Sequence, residues 1–151
     1  MCVLTNLVTL LLAFPIIVAI AIATGTPVGP SILMYFFYAG TLFVLTYGMA
    51  HLAALLFVYF RDLRHLGGIL LQIWFYSTPV LYHEDMIPER LRFALYANPL
   101  GMVFVGLHES IVYGSFPSLL SVGIVVAWAV AILGAAALLH RAVARTVAER
   151  I

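Results

Sequence analysis

The chain has 151 residues, of which 65% are hydrophobic and 9% are charged, with a net charge of +1 and a mean hydropathy of +1.15. Soluble domains carry about 25% charged residues, so this composition excludes a water-soluble globule and indicates a membrane protein in contact with lipid. The net charge argues neither for nor against nucleic acid, but the sequence has no basic patch interleaved with aromatic residues, so we expect no nucleic-acid partner bound by charge.

The scarcity of two residue types narrows the chemistry further. The chain has no lysine, and a phosphate-binding loop of the G-x-x-x-x-G-K-[ST] kind requires one. Its single cysteine, Cys2, excludes an internal disulfide and a multi-cysteine metal site. We therefore expect no cofactor, no metal and no catalytic residue, and any transport driven by ATP requires a separate ATP-binding subunit.

Two long apolar stretches open the chain. Residues 7–24 are long enough to cross about 30 Å of hydrocarbon, and residues 31–60 form a longer second stretch. The first ends in small residues that resemble a signal-peptidase site, but residues 1–6 carry no positive charge, so we predict a retained span. Glycines and prolines in residues 25–30 predict the turn between the two helices.

The third apolar stretch is unusually short. It follows a charged cluster of Arg61, Asp62 and Arg64, and it extends only over residues 67–78. Even when it is extended to Tyr82, this segment is marginal for a crossing. We predict that its helix either crosses where the protein is thin or stops inside the bilayer and turns.

A polar patch over residues 83–92 precedes a second interrupted segment. Residues 88–98 predict a short surface helix, started by Pro88 and stopped by Asn98 and Pro99. Residues 100–113 are apolar but contain Glu109, which should face water or a partner because a carboxylate at the bilayer centre costs about 2.5–3.5 kcal/mol. We therefore predict a re-entrant helical hairpin over residues 79–114.

Residues 119–139 predict the final span, and a tail containing Arg141, Arg145 and Arg150 follows it. With about four spans, the charged cluster and the tail share one side of the membrane and hold five of the seven arginines. The positive-inside rule places that side, and both termini, in the cytoplasm. The expected fold is an all-α polytopic transmembrane bundle, with residues 1–151 forming a single domain and the hairpin preceding the last span.

Four sequence fragments together resemble a known family. FRDLRHL (60–66), LLQIWFYSTPVLY (70–82), MIPER (86–90) and YANPL (96–100) occur in this order. They resemble the type 2 ATP-binding-cassette (ABC) permeases that export polysaccharides, O-antigens, teichoic acids and polyol phosphates. Those permeases usually begin with an interfacial helix and two further spans, so the chain is expected to be the C-terminal part of an exporter membrane subunit.

The resemblance implies a bacterial inner-membrane homodimer that exports a polysaccharide or lipid-linked glycan and is driven by a separate ATP-binding subunit. It implies that the cluster of Arg61, Asp62 and Arg64 lies in a cytoplasmic loop that contacts the ATPase. The following residues are expected to line the substrate path: Trp74, Tyr76, Tyr82, Tyr96 and Glu109. The hairpin is expected to act as an outer gate, shaped by Pro79, Pro88, Glu89, Asn98 and Pro99.

Several alternatives stay open at this stage. The arginine cluster also fits a pure topology determinant, the aromatic residues fit interface anchors, and Glu109 fits structural pairing within the hairpin. The whole chain also fits a truncated, non-transporting scaffold or remnant subunit, or a permease for a drug or a lipid. A membrane enzyme is disfavoured because the sequence contains neither a G-x-S-x-G nor an H-E-x-x-H motif.

Overall fold

The computed structural model describes residues 2–59, 63–80, 82 and 86–148. Across these residues the regular structure is helical, with two 3₁₀ turns at Pro30–Leu33 and Glu89–Leu91. The six α-helices are α1 (Cys2–Ala23), α2 (Met34–Tyr59), α3 (Leu63–Ser77), α4 (Phe93–Ala97), α5 (Pro99–Ile111) and α6 (Leu119–Ala148).

Three of the described segments are long and apolar enough to cross a membrane: Val3–Ala23, Pro30–Phe57 and Leu119–Val143. These spans confirm the expected all-α membrane bundle. The third apolar stretch is shorter, because α3 ends at Ser77 after 15 residues. At 1.5 Å per residue, α3 covers about 22 Å, which is less than the hydrocarbon thickness of about 30 Å.

The helices α1 and α2 form an antiparallel pair around an aromatic contact. Gly25, with a φ of 73°, starts the turn between them. The Tyr35 hydroxyl donates a hydrogen bond to the carbonyl of Leu10, and the ring centroids of Phe14 and Tyr35 lie 5.0 Å apart. This contact lies beside Pro15, whose missing N–H leaves α1 without one backbone hydrogen bond.

The buried core lies between α2, α5 and α6. Gly48 on α2 packs directly on Ile132 of α6, since a Cβ at Gly48 would lie 2.7 Å from the Ile132 side chain. The core consists of the following buried residues: Tyr38, Leu45, Met102, Val103, Val125, Ala129 and Ile132. Although α5 has only 13 residues, it supplies two members of this core. The short helix is therefore packed inside the bundle.

The end of α5 is attached to the turn that precedes α2. The Ser31 hydroxyl, which is buried, donates to the carbonyl of Ser110 across 3.0 Å. Gly114, with a φ of 63°, lies against Pro27 so closely that a Cβ there would be 2.7 Å from the Pro27 carbonyl oxygen. Because Ser110 meets the start of α2 and Met102 belongs to the deeper core, α5 runs antiparallel to α2.

Both ends of the described chain lie at the same end of the bundle. Val3 on α1 and Thr46 on α2 line one small cavity, and the rings of His51 on α2 and His140 on α6 are 5.2 Å apart. The start of α1 and the last third of α6 therefore lie beside the second half of α2.

The expectation of one short surface helix over residues 88–98 is wrong. The 3₁₀ turn Glu89–Leu91 and the five-residue helix α4 replace it, and Leu95 is buried whereas Ala94 beside it is exposed. The stop expected at Asn98 is confirmed, since Asn98 adopts an extended conformation (φ −96°, ψ 113°). Proline disfavours the helical region for the residue before it, so Pro99 favours a break at Asn98.

Candidate functional site

The helix break at Asn98 is the candidate functional site, and its first feature is a helix cap. Asn98 precedes Pro99 at the start of α5, and its side-chain Oδ1 accepts a hydrogen bond from the amide of Leu100 across 3.0 Å. Asparagine is a preferred N-cap because its oxygen satisfies a backbone N–H that has no partner within the helix. Pro99 suits the first helical position because it has no N–H to satisfy.

The same asparagine side chain binds the end of α3. Its Oδ1 also accepts from Nε1 of Trp74 across 2.8 Å, and its Nδ2 donates to Oγ1 of Thr78 across 3.0 Å and to the carbonyl of Ser77 across 3.5 Å. The Thr78 hydroxyl in turn donates to the carbonyl of Trp74 across 2.9 Å. One amide group thus joins the last turn of α3 to the first turn of α5.

A second tryptophan, carried by α6, binds the same break. Nε1 of Trp128, on α6, donates to the backbone carbonyl of Tyr96 across 3.0 Å. Trp74 and Trp128 are the two tryptophans of the chain, so both indole N–H groups bind within residues 96–98. Trp128 lies about 13 Å along α6 from Leu119, at 1.5 Å per residue, so the break lies beside the length of a spanning helix.

Glu109 lies towards the other end of α5. It is half-buried and interacts electrostatically with the hydroxyl of Tyr38 on α2. Along the helix, Glu109 is about 16 Å from Asn98 at 1.5 Å per residue. The structure therefore separates this carboxylate from the aromatic residues with which it was grouped in the expected substrate path.

The four aromatic residues of that path lie near the end of α3 and the break. Trp74 and Tyr82 are half-buried, whereas Tyr76 and Tyr96 are exposed by 64% and 51%. The Tyr82 hydroxyl donates to the carbonyl of Tyr76 across 3.2 Å, which holds the two residues together. Exposed tyrosine rings present flat apolar faces with a hydrogen-bonding edge, a combination suited to sugar rings as well as to lipid headgroups.

Comparison with known proteins supplies the decisive observation. The chain is 32% and 31% identical, over 71 and 72 residues, to two O-antigen export system permease proteins RfbA of Klebsiella pneumoniae. It is 35% identical over 89 residues to an RfbA of Myxococcus xanthus. The chain is related to O-antigen export permeases. This finding confirms the resemblance seen in the four sequence fragments.

The similarity to O-antigen export permeases covers part of each protein. The matches take in 47%, 48% and 58% of this chain, and 27%, 28% and 34% of the three relatives. The chain thus spans about a third or less of the curated permeases that it matches. No protein-family profile matches the chain, and no solved structure matches it.

The residues expected to shape a gate take up different positions near the break. Pro79 is buried in the turn after α3, and Pro99 is buried at the start of α5. Pro88 and Glu89 are exposed at the 3₁₀ turn. The side chain of Asn98 makes hydrogen bonds to α3 and to α5.

The charged cluster expected in a cytoplasmic loop falls largely outside the described structure. Arg61 and Asp62 lie outside the described residues, and Arg64 falls in the first turn of α3. Among the residues that the structure describes, no group of three or more His, Cys, Asp or Glu side chains could hold a metal ion.

The sequence identified Asn98 as a helix stop and as a gate residue, but it did not reveal the bond from Asn98 to Thr78 or the bond from Trp128 to the Tyr96 carbonyl. The Asn-Pro pair did carry a signal, because asparagine at the N-cap and proline at the first position are typical of a helix start. The contact between Trp128 and residue 96 joins two distant segments, and no local pattern predicts it.

Proposed function

We propose that the chain is the membrane-spanning permease subunit of an ABC exporter for O-antigen or a related polysaccharide or polyol phosphate polymer. It works in the bacterial inner membrane, and a separate subunit hydrolyses the ATP. The observation that carries the proposal is the packed helix break at Asn98, in a chain whose relatives are O-antigen export permeases. The similarity to O-antigen export permeases favours this function over export of a drug or a lipid and over a non-transporting remnant.

In this proposal, α3 and α5 together replace one ordinary span. The helix α3 rises from the end of α2 and stops at the break, and α5 continues from the break to the turn beside Pro27. An irregular segment at membrane depth is tolerated when protein buries it or when it borders a water-filled cavity. The hairpin of residues 79–114 then forms the outer gate, and ATP hydrolysis in the partner shifts the populations of its closed and open states.

The substrate path in this proposal follows the aromatic surface at the C-terminal end of α3. Tyr76 and Tyr96 stack on sugar rings as the polymer passes, and Trp74 and Tyr82 support them from half-buried positions. Glu109 meets the polymer later, near the outer end of α5. Stacking tolerates many sugars, so this surface lets successive units of a polymer pass without a unique binding pose.

The remaining parts of the proposal concern assembly. Two copies of the chain, each a single unit over residues 1–151, form the conduit within membrane lipid. Both termini face the cytoplasm, where Arg61, Asp62 and Arg64 contact the ATP-binding subunit. The chain itself acts as a permease and not as an enzyme, because the polymer is moved without a change of covalent bonds.

The proposal is tested in bacteria whose own O-antigen export permease gene is deleted. These cells receive the complete reading frame that contains this chain, together with its ATP-binding partner, and surface O-antigen is quantified with a specific antibody. Restored surface polymer supports the proposal. A chain that inserts into the membrane while all polymer stays inside the cell contradicts it and supports the non-transporting scaffold.

Replacement of both Tyr76 and Tyr96 by alanine tests the proposed path. If the rings stack on sugars, the variant should export about tenfold less polymer, on the assumption that a ring–sugar contact is worth as much as a contact between two aromatic rings, about 0.5–1.5 kcal/mol. A control replaces Tyr47, which is also exposed but belongs to α2, outside the hairpin of residues 79–114. Equal export by both variants would leave the tyrosines as interface anchors.

A further inference from the structure

We propose that the contact of Trp74, Asn98 and Thr78 is a releasable latch between α3 and α5. In the same proposal, the contact of Trp128 with Tyr96 is a fixed pivot that keeps the break on α6. The inference rests on the proposed export function, because the latch controls the proposed gate. It assigns the two tryptophans of the chain opposite roles at one site.

The helix α3 is attached to the rest of the described structure at few places. From Leu66 to Ser77, only Gly67 and Trp74 are partly buried, and every other side chain is exposed. Gly67 lies beside Phe57 near the start of the helix, with 3.6 Å between its ideal Cβ and the Phe57 ring. Trp74 lies near the other end, where it binds Asn98. The contact with Asn98 is therefore the main attachment of the upper part of α3.

The helix α5, which follows the break, belongs to the most buried part of the bundle. In α5, Gly101, Met102, Val103 and Val105 are buried directly after the cap, and the core of α2 and α6 surrounds them. Trp128 is one of the residues that pack against this core. A displacement of α5 from α6 would expose that apolar core, whereas a displacement of the end of α3 breaks the bonds at Asn98 and uncovers only the few side chains beside them, Trp74, Thr78 and Pro79.

The chemistry of the latch also favours release. Its bonds join an amide, an indole, a hydroxyl and backbone carbonyls, all of which are neutral groups. A neutral hydrogen bond makes a modest net contribution to stability, because water or another polar partner replaces it when it opens. The polar sugar units of a passing polymer offer such replacement partners to Asn98 and Trp74.

The geometry links the latch to the other end of α3. A hydrogen-bonded helix transmits a displacement along its length, and α3 begins next to Arg61 and Asp62, the residues proposed to contact the ATPase. Movement of that end changes the position of Trp74 relative to Asn98. The helix α3 thus acts as a lever between the cytoplasmic loop and the gate, with Asn98 as the point of contact.

Backbone hydrogen exchange of the full chain in lipid nanodiscs tests the latch without any reference to export. Asn98→Ser is the decisive variant, because serine still caps α5 but is too short to reach Trp74. It should accelerate exchange in the last turn of α3 by about tenfold, the loss expected for the hydrogen bonds removed. The amide of Leu100 should stay protected.

Two further variants make this test specific. Asn98→Ala should accelerate exchange at Leu100 as well, because alanine provides no cap. Trp128→Phe removes the pivot bond and should leave the last turn of α3 unchanged within about twofold. The latch is overturned if Asn98→Ser leaves α3 at the wild-type rate, or if Trp128→Phe accelerates it as much as Asn98→Ser does.

Cross-linking tests whether the latch must open during export. In a Cys2→Ser background, the pair Trp74→Cys and Asn98→Cys is joined by a short, reducible thiol cross-linker, and surface polymer is measured before and after reduction. The cross-link should abolish the export that the double cysteine variant shows before cross-linking, and reduction should restore that level. The control pair, His51→Cys and His140→Cys, joins α2 to α6 away from the break, where the two rings are 5.2 Å apart, and should export equally well when cross-linked.

The outcomes separate the two proposals. Full export with the first pair cross-linked overturns the latch and leaves the exporter function intact. Loss of export with both pairs cross-linked would show that α2 and α6 must also move, and it overturns a movement confined to the latch. If the Cys2→Ser chain exports nothing although it is inserted beside its ATPase, the exporter function fails, and hydrogen exchange alone then decides whether the contact between α3 and α5 is a latch.

Discussion

Gly106 has no room for a side chain. A Cβ at this position would lie 2.1 Å from the hydroxyl oxygen of Tyr38 and 2.2 Å from its Cζ. Gly106→Ala should therefore lower the stability of the bundle by about 1–3 kcal/mol, the usual cost of overpacking a core. Thermal unfolding in detergent measures this, with Gly40→Ala as the control because a Cβ at Gly40 meets nothing within 4 Å. Equal melting temperatures would show that α5 and α2 are not packed at Gly106.

Thr78 is a buried residue whose hydroxyl both accepts from Asn98 and donates to the carbonyl of Trp74. Thr78→Val keeps the shape of the side chain and leaves the Asn98 amide without this partner. The substitution should cost about 1–3 kcal/mol, the penalty for an unsatisfied buried group. Thr41→Val is the matched control, because Thr41 is also buried but bonds only to the carbonyl of Phe37 in its own helix. Equal unfolding temperatures for the two variants would contradict the role of Thr78.

At the scale of single residues, the sequence predicted where the chain breaks but not what holds the break. Asn98 and Pro99 identify the boundary because the residue before proline leaves the helical region. The bonds from Asn98 to Trp74 and Thr78 depend on how α3 is placed in space. Side chains more than 20 residues apart in the chain meet there, so no local spacing reports their contact.

The C-terminal end of α5 is followed by a glycine that adopts a left-handed backbone conformation and is closely packed. Gly114 has a φ of 63°, and a Cβ there would lie 2.7 Å from the Pro27 carbonyl oxygen. Gly25 also has a positive φ, of 73°, but open space surrounds it. Gly25→Ala should cost about 1–2 kcal/mol for the backbone alone, and Gly114→Ala should cost more. Calorimetric unfolding of both variants compares them, and an equal cost would show that α5 is not held at Pro27.

At the scale of the helices, the long spans were predictable because an apolar stretch of sufficient length has few other solutions in a membrane. The packing faces were not predictable. The helix α2 is apolar on all sides, so its pattern does not show which side meets α5 and α6. Residues 88–98 were expected to form one helix, but they form a 3₁₀ turn and a five-residue helix. Five residues are too few for a stripe of side chains to determine the orientation of a helix.

At the scale of the whole molecule, orientation is the property that composition predicts and packing leaves open. We expect the start of α1 and the end of α6 in the cytoplasm, because the positive-inside rule assigns that side to five of the seven arginines. In a Cys2→Ser background, a cysteine at Arg141 should react with an impermeant thiol reagent only after the membrane is opened. A cysteine at Met86, which is exposed, should react in intact spheroplasts. The reverse pattern would invert the topology and place the hairpin on the ATPase side.

The central claim is that the chain breaks inside the bilayer, where α3 meets α5. The most direct measurement is the depth of Trp74 in the Trp128→Phe variant, in which it is the only tryptophan. Its fluorescence in vesicles is compared between lipids brominated along the acyl chain and lipids with a quencher at the headgroup. The account predicts stronger quenching by the acyl-chain bromines, because Trp74 lies about 16 Å along α3 from Leu63 at 1.5 Å per residue. Stronger quenching at the headgroup would place the break at the membrane surface and contradict the account.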